Sequence, residues 1–260
     1  MLFRSVLEIV TSATEFETIQ IRRHEDSLLR RIYDRAPVKM AEPSYDSPHF
    51  KAFVLLQAHF SRMQLPIDLA KDQEIILTKV LGLLSATVDV LSSDGHINAM
   101  NAMEMSQMVV QAMWDRDSPL KQIPHFTPEV IKAANSAGYV PNIPIIYNAN
   151  HYSFISVTDI FGFMEAMDPS ENPNYAALVK KLGLTQAQLG QAANFTNSKY
   201  PNIELEFELE DPEDITAGVP SYIKVKIERE EDEDDEGAEV DTTVHAPFYP
   251  VKKMENWWLV

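Results

Sequence analysis

The sequence predicts a mainly α-helical fold with a C-terminal all-β part. Apolar residues recur at helical spacing through most of residues 1–200, and after Pro201 their spacing changes to two. Hydrophobic residues make up 45% and charged residues 23% of the 260 residues, which is typical of a folded protein. These patterns divide the chain into three predicted segments, 1–126, 127–200 and 201–260.

Residues 1–126 are predicted to form a helical bundle with short connections. The longest periodic run, 72–91, has one broad apolar face and is followed by Ser93, Asp94 and Gly95, a sequence typical of a helix C-terminus. A further helix is predicted over 97–114. The apolar stripes of the three earlier helices are Leu2, Val6, Ile9 and Val10; Leu28, Leu29, Ile32 and Tyr33; and Phe50, Phe53, Val54, Ala58 and Phe60.

Residues 127–200 are predicted to form a helix-loop-helix part. Helical patterns cover 157–167, 175–182 and 185–197. The stretch before them, 138–156, has no Asp, Glu, Lys or Arg and is rich in proline and asparagine. This composition is typical of a loop.

Residues 201–260 are predicted to form a partial β domain. Apolar and charged residues alternate over 203–209 and again over 222–228, which predicts two half-buried strands. Further strands are predicted over 242–249 and 257–260, and the acidic run 228–241 is predicted to be a loop. Because so few strands make a poor core and the last residues are apolar, we expect a truncated domain from a longer natural chain.

The formal net charge of −17 is concentrated towards the C-terminal end. Residues 201–260 hold 18 acidic and 5 basic residues, a net of −13, whereas residues 1–200 hold 21 acidic and 17 basic residues, a net of −4. A chain this acidic is a poor general ligand for phosphate backbones, so we expect weak or no direct RNA binding. No apolar run approaches the ~20 residues that span a bilayer, so no membrane contact is expected.

The sequence predicts no catalytic, metal or cofactor-binding residues. None of the eight glycines precedes a lysine, so the phosphate-binding loop of nucleotide-hydrolysing enzymes is missing, and no cysteine is present. A helicase-like D-E-x-D string, at 232–235, lies inside a run of acids where a chance match is expected. No two histidines have the i, i+4 spacing of a helical zinc site, and His59 is predicted to be a packed core residue.

Two groups of basic side chains are candidate contacts for RNA or for a partner protein. One group, Lys71 and Lys79, lies in or directly before the predicted helix 72–91. The other group is formed by arginines around the start of the second helix, where Glu25, Asp26 and Asp34 dilute its charge. A solvated helix face is favoured for this group, and a contact surface is the alternative. The candidate contact residues are Lys71, Lys79, Arg22, Arg23, Arg30, Arg31 and Arg35.

Seven strings are more specific than these general patterns. They are IQIRRHED (19–26), LLQAHFSRMQLP (55–66), VDVLSSDG (88–95), AMEMSQMVVQAMW (102–114), SPLKQIPHF (118–126), YPNIEL (200–205) and ENWWLV (255–260). Together they resemble the Sec-sixty-three homology unit of the large two-cassette spliceosomal DExH RNA helicases, which unwind paired small nuclear RNAs. The resemblance covers nearly the whole chain and favours the second, C-terminal cassette.

The resemblance implies a helical bundle, a helix-loop-helix part and a truncated immunoglobulin-like (fibronectin type III) sandwich. In this family the helix matching 72–91 is the ratchet helix, which in active cassettes touches the translocating strand with polar and basic residues. Here Lys79 is the one basic residue in the middle of that helix, and Gly82 offers no side chain. A role in gripping the strand is therefore not expected.

The resemblance implies a non-catalytic accessory and protein-interaction unit of a spliceosomal ATP-dependent RNA helicase. Such a unit acts in pre-mRNA splicing in the nucleus, docks spliceosomal proteins and the helicase cassettes of its parent chain, and needs no cofactor. One alternative is a nucleic-acid-gripping ratchet module of an active related helicase, from the activator-complex or DNA-repair groups. Another, less favoured, is the endoplasmic-reticulum translocation protein that shares this unit.

One segment departs from the family pattern. The family usually has no counterpart of 139–156, and removing this segment would join Gly138 to Val157 across a short turn. Our hypothesis is that the segment is translated from a retained intron and forms a surface loop without function.

Overall fold

Nine α-helices and one two-stranded antiparallel sheet form the described part of the computed structural model, which covers residues 3–95, 99–136, 157–170, 172–210, 215–229 and 241–259. The helices are α1 (Phe3–Thr11), α2 (Asp26–Arg35), α3 (Pro48–Phe60), α4 (Ile67–Ser93), α5 (Ala99–Gln111), α6 (Pro128–Asn135), α7 (Ile160–Ala166), α8 (Tyr175–Leu182) and α9 (Gln186–Ser198). The strands are β1 (Ile203–Leu209) and β2 (Ile223–Arg229). The mainly helical fold class is therefore confirmed.

The chain divides into two compact units, which we call the first and the second unit. The first unit consists of Met1–Gln122, Phe126–Lys132 and Thr243–Val260. The second unit consists of Ile123–His125 and Ala133–Thr242.

Helix α3 is the central helix of the first unit. Its N-terminus has Pro48 in the first turn and is capped by Ser47, whose hydroxyl accepts a hydrogen bond from the Phe50 amide. All eleven residues from Phe50 to Phe60 are buried, including every apolar residue predicted for this helix. A helix buried on all sides lies at the centre of its bundle, and α3 contacts α1, α2, α4 and α5.

Helix α4 is longer than predicted, because it begins directly after Pro66 and runs for 27 residues. By length and composition it is the one helix of the described residues that could cross a membrane. Core helices of bundles meet the same test, and one face of α4 lies in the core of the first unit. That face consists of Leu69, Asp72, Ile76, Leu77, Val80, Leu84 and Val88.

The C-terminal residues of the first unit form a docked segment, 243–254. An isolated bridge between Thr243 and Met254 closes it. The Tyr249 hydroxyl donates a hydrogen bond of 3.2 Å to the Leu77 carbonyl of α4, and its ring packs against the core. The Phe248 ring lies 4.2 Å from the guanidinium carbon of Arg62.

The prediction of strands over 242–249 and 257–260 is wrong for the described residues, which end at Leu259. Only the bridge at Thr243 has strand character, and a turn occupies 247–251. Pro247 and Pro250 explain the difference, because a proline has no amide to donate to a ladder.

The second unit contains α7, α8 and α9, and the three helices predicted there are confirmed. Thr185 and Gln188 form a reciprocal capping box at the start of α9. Gly183 ends α8 with a φ of 66°, in the left-handed region that favours glycine. The loop predicted over 138–156, with its insertion 139–156, lies outside the described residues.

Strands β1 and β2 also belong to the second unit and pair in antiparallel register, with Leu205 opposite Ile227 and Phe207 opposite Val225. The two predicted strands are confirmed, but their predicted half-burial is wrong. Leu205 and Phe207 are 59% and 77% exposed. The sheet thus has one charged face and one apolar face that no described residue covers fully. Most of the predicted acidic loop, 230–240, lies outside the described residues.

Candidate interaction surface

The exposed face of α2 carries Arg30, Arg31 and Arg35, and Arg23 is exposed in the turn before the helix. The apolar stripe of α2 packs into the first unit, so the opposite face must be polar. None of the ion pairs among the described residues involves these four arginines. The structure thus brings four of the predicted contact residues together, with their charges unneutralised by a salt bridge.

Arg30 has a fixed neighbour. Its guanidinium carbon lies 4.4 Å from the centre of the Tyr45 ring, within the range of a cation–π contact. The Tyr45 ring in turn meets the rings of Tyr33 and Phe50 edge-on, with centroids 6.4 and 5.0 Å away. Because Phe50 belongs to the core, Arg30 rests on a rigid aromatic support.

Arg22 is not on this surface, although the sequence grouped it with its neighbours. Its side chain is 35% exposed and closes the outer side of an ion cluster whose other three members are buried. We call Arg22, Glu25, Lys51 and Asp72 the buried ion cluster. The Arg22 guanidinium binds a Glu25 oxygen at 2.7 Å and both Asp72 oxygens, one of them at 3.0 Å. Two-pronged pairing of this kind holds a carboxylate in one orientation.

Lys51 lies at the centre of the buried ion cluster and is 0% exposed. Its ammonium group is 2.7 Å from Glu25 and 2.6 Å from Asp72. A third bond, of 2.8 Å, goes to the carbonyl of Gln20. The ammonium therefore has three acceptors for its three protons, and the two cations balance the two anions. The cluster ties the segment before α2 to both α3 and α4.

The electrostatics of the cluster keep its carboxylates charged. Burial alone would raise the pKa of Glu25, but hydrogen bonds from Lys51 and Arg22 outweigh it and lower the pKa below the usual value. Burial likewise opposes ionisation of Asp72, and hydrogen bonds from Arg22 and Lys51 again leave the pKa lowered. Hydrogen bonds to Asp72 and Glu25 raise the pKa of Arg22. Glu25, Asp72 and Arg22 are thus charged at neutral pH.

Lys71 and Lys79 lie on α4 but have different environments. Lys71 is exposed, whereas Lys79 is half-buried and donates a hydrogen bond of 2.8 Å to the carbonyl of Glu15. That bond fixes Lys79 to the 3₁₀ turn Thr14–Phe16. The Lys79 ammonium is therefore engaged within the chain and is not a free cation. Gly82, three residues further along α4, would meet nothing within 4 Å if it had a Cβ, so the helix surface there is bare.

Sequence reasoning missed Glu25, Lys51 and Asp72 as a group. A signal was present, because Lys51 is the one charged residue among the buried positions of α3. A lysine between Phe50 and Ala52 in a fully buried run of a helix needs an anionic partner. Glu25 and Asp72 lie 26 and 21 residues from Lys51 along the chain. Helical periodicity relates only residues a few positions apart, so it could not predict these contacts.

His59 is a satisfied core histidine, as predicted. It is 5% exposed, and its Nε2 lies 2.7 Å from the Val109 carbonyl of α5. Because a carbonyl only accepts, Nε2 carries the proton. Burial lowers the pKa of His59 to about 4. Within the described ranges, no three His, Asp or Glu side chains are grouped in a way that could hold a metal ion.

Comparison with known proteins decides the family. The model of the Sec63 Brl domain matches residues 1–260. The chain belongs to the Sec63 Brl domain family. This Sec63 Brl domain has four exposed arginines on or just before α2 and one exposed lysine on α4.

This Sec63 Brl domain is similar to segments of much longer proteins. It is 46% identical over 258 residues to the pre-mRNA-splicing factor brr2 of Schizosaccharomyces pombe, covering 99% of this chain and 10% of that protein. It is 43% identical over 258 residues to the human U5 small nuclear ribonucleoprotein 200 kDa helicase, with 99% and 10% coverage. A Dictyostelium discoideum protein, activating signal cointegrator 1 complex subunit 3-like, is 33% identical over 260 residues, with 98% and 10% coverage. The chain spans about a tenth of these relatives.

Proposed function

We propose that this Sec63 Brl domain is a non-catalytic accessory and protein-interaction unit of a spliceosomal ATP-dependent RNA helicase, acting in pre-mRNA splicing. The observation that carries the proposal is the similarity of 99% of the chain to a pre-mRNA-splicing factor and to a U5 ribonucleoprotein helicase. Because the chain spans a tenth of these relatives, catalysis is assigned to the rest of the parent chain. No cofactor is assigned to this unit.

The environment of α4 supports an accessory role rather than a grip on a moving strand. A gripping helix needs free basic and polar side chains along its exposed face. The Lys79 ammonium is held by Glu15, and the surface at Gly82 is bare. Lys71 is the one basic residue of α4 that remains exposed, and a single exposed cation contributes little to phosphate binding.

The proposed partners are spliceosomal proteins and the helicase cassettes of the parent chain, and the proposed location is the nucleus. Affinity capture from nuclear extract, with this chain as bait and mass spectrometry as readout, tests the proposal. We expect splicing proteins to be enriched and to persist after RNase treatment. Enrichment of proteins outside the spliceosome, or capture that RNase abolishes, would contradict it.

A second candidate function is nucleic-acid gripping as the ratchet module of an active related helicase. The similarity to the Dictyostelium cointegrator-complex subunit favours this alternative. Its test is the binding of labelled single-stranded RNA at increasing salt. Binding that falls steeply with salt and is weaker in Lys71→Gln supports gripping, whereas no binding even at low salt excludes it.

We also propose that β1 and β2 belong to an immunoglobulin-like sandwich, with the two strands forming part of one of its sheets. The support is the apolar face of the pair, because a sandwich buries one face of each sheet against the other. Phe207→Lys tests this: the substitution should reduce self-association of the isolated chain and should destabilise a longer chain that contains the full sandwich. If Phe207→Lys leaves the longer chain as stable as before, the apolar face is not part of a core.

A further inference from the structure

We propose that the exposed arginine face of α2, formed by Arg23, Arg30, Arg31 and Arg35, docks an acidic segment of a partner protein. This inference rests on the proposed function and names a surface and a partner chemistry for it. It depends on three features of the face: unpaired charge, a fixed guanidinium and interleaved carboxylates.

The unpaired charge is the first feature. All four arginines are exposed, and none takes part in an ion pair among the described residues. Arg31 and Arg35 are four residues apart on a helix, so they are neighbours on its surface. Since like charges four residues apart destabilise a helix, an anionic partner would relieve their repulsion.

The fixed guanidinium is the second feature. Arg30 rests on Tyr45, which Tyr33 and Phe50 hold in place. A guanidinium has five N–H donors, so the Arg30 guanidinium above the Tyr45 ring still has donors to offer to a carboxylate. Binding then costs little side-chain entropy, because Arg30 is already ordered.

The third feature favours a peptide over RNA. Asp26 and Asp34 are exposed on the same helix face as the arginines. A continuous phosphate backbone would meet these carboxylates, whereas the separate carboxylates of a peptide can avoid them. Single-stranded RNA also needs free aromatic rings on which its bases stack, and the Tyr45 ring already has Arg30 over it.

The experiment uses the full chain and a fluorescein-labelled oligoglutamate peptide, with binding followed by fluorescence anisotropy at low ionic strength. The test variant is Arg31→Gln/Arg35→Gln. Its matched control is Lys132→Gln/Lys180→Gln, which removes the same charge from two exposed lysines on other helices. We expect the test variant to bind about fivefold more weakly and the control to bind as the parent does. Circular dichroism checks that both variants keep their helices.

Equal losses of affinity in the two variants would overturn the proposal, because general charge would then explain the binding. A labelled oligouridylate that binds the parent chain more tightly than the peptide, and depends on Arg31 and Arg35, would also overturn it in favour of RNA. Capture from nuclear extract separates this inference from the proposed function. If Arg31→Gln/Arg35→Gln captures the same splicing proteins as the parent, the docking surface is elsewhere and the proposed function stands. If the parent captures none, the proposed function itself fails.

Discussion

Lys51 carries a charge at a position with no exposed surface. Burying an ammonium group costs several kcal/mol, and only close anionic partners offset that cost. Glu25 and Asp72 supply them at 2.7 and 2.6 Å. Buried ion pairs add little net stability compared with apolar residues, but they reject every arrangement in which a partner is missing. The cluster therefore specifies how the segment before α2 sits against α3 and α4.

Replacing Lys51 tests this directly. Lys51→Ala leaves two buried carboxylates with Arg22 alone, and we expect the free energy of unfolding to fall by about 3–5 kcal/mol. Urea unfolding at neutral pH, followed by far-ultraviolet circular dichroism, measures the change. The matched control is the exposed Lys71→Ala, expected within about 0.5 kcal/mol of the parent. Similar midpoints for both variants would show that the cluster is not a coupled unit.

His59 predicts a pH dependence of stability. Its pKa is about 4 in the folded chain because of burial, below the ordinary value of 6.5. The unfolded chain therefore takes up a proton first as the pH falls, and stability is lost between pH 6.5 and about 4. Over this pH range we expect the free energy of unfolding of the parent chain to fall by about 3 kcal/mol more than that of His59→Gln, which has no imidazole to protonate. Unfolding midpoints of both chains at several pH values measure it. Parallel pH profiles would contradict the prediction. The lowered pKa of Glu25 also begins to reduce stability as the pH falls through its ordinary value of 4.5, inside this range. It acts equally in the parent and in His59→Gln, so it cancels in the comparison.

At the level of elements, α4 combines a packed face with an unoccupied one. Gly82 sits within this helix, and a Cβ added there would meet nothing within 4 Å. Glycine in a helix interior is less stable than alanine because it loses more backbone entropy on folding. Glycine at position 82 thus lowers the free energy of unfolding relative to alanine at the same position.

Gly82→Ala should raise the free energy of unfolding by about 0.5–1 kcal/mol, as measured by thermal or urea unfolding. Gly183→Ala is the contrasting variant, because its φ of 66° is strained for any side chain. We expect that variant to lower stability, although no atom lies within 4 Å of the added Cβ in either case. Destabilisation by Gly82→Ala would contradict this, because it would mean that the added methyl group meets a neighbouring group.

The same elements show what a sequence can predict. Helices α2, α3, α8 and α9 follow from apolar spacing and end signals, because each shows a distinct apolar pattern. In α1, Ile9 was assigned to the buried stripe but is 49% exposed, and Leu7 is buried instead. The strand predicted over 242–249 fails because Pro247 and Pro250 outweigh the apolar content. For the buried ion cluster, Lys51 signals the need for an anion, but which carboxylates supply it could not be predicted, since they meet Lys51 only through tertiary packing.

At the scale of the whole molecule, the first unit is built from both ends of the chain. Residues of the docked segment complete its surface, with Phe248 over Arg62 and Tyr249 bonded to Leu77. The Arg62 guanidinium also donates to the carbonyls of Gln111 and Ala112 at the end of α5. The docked segment therefore covers a cation that neutralises a helix C-terminus.

Phe248→Ala/Tyr249→Ala should lower the stability of the first unit by about 2 kcal/mol, through lost packing and one lost hydrogen bond. Faster hydrogen exchange of α4 amides around Leu77, measured by mass spectrometry, locates the effect. Val251→Ala/Leu259→Ala is the control, because these side chains are 52% and 86% exposed. Unchanged exchange in α4 would show that the docked segment contributes nothing to the unit.

The contact between Tyr249 and Leu77 spans 172 residues of sequence. A ribosome adds residues at roughly 5–20 per second, so roughly ten to thirty seconds pass between the synthesis of Leu77 and that of Tyr249. Throughout that delay Arg62 and the flank of α4 stay open on the nascent chain. Translation speed and chaperones that shield emerging helices should therefore influence how much of this protein matures, more than they would for a bundle made from one continuous stretch.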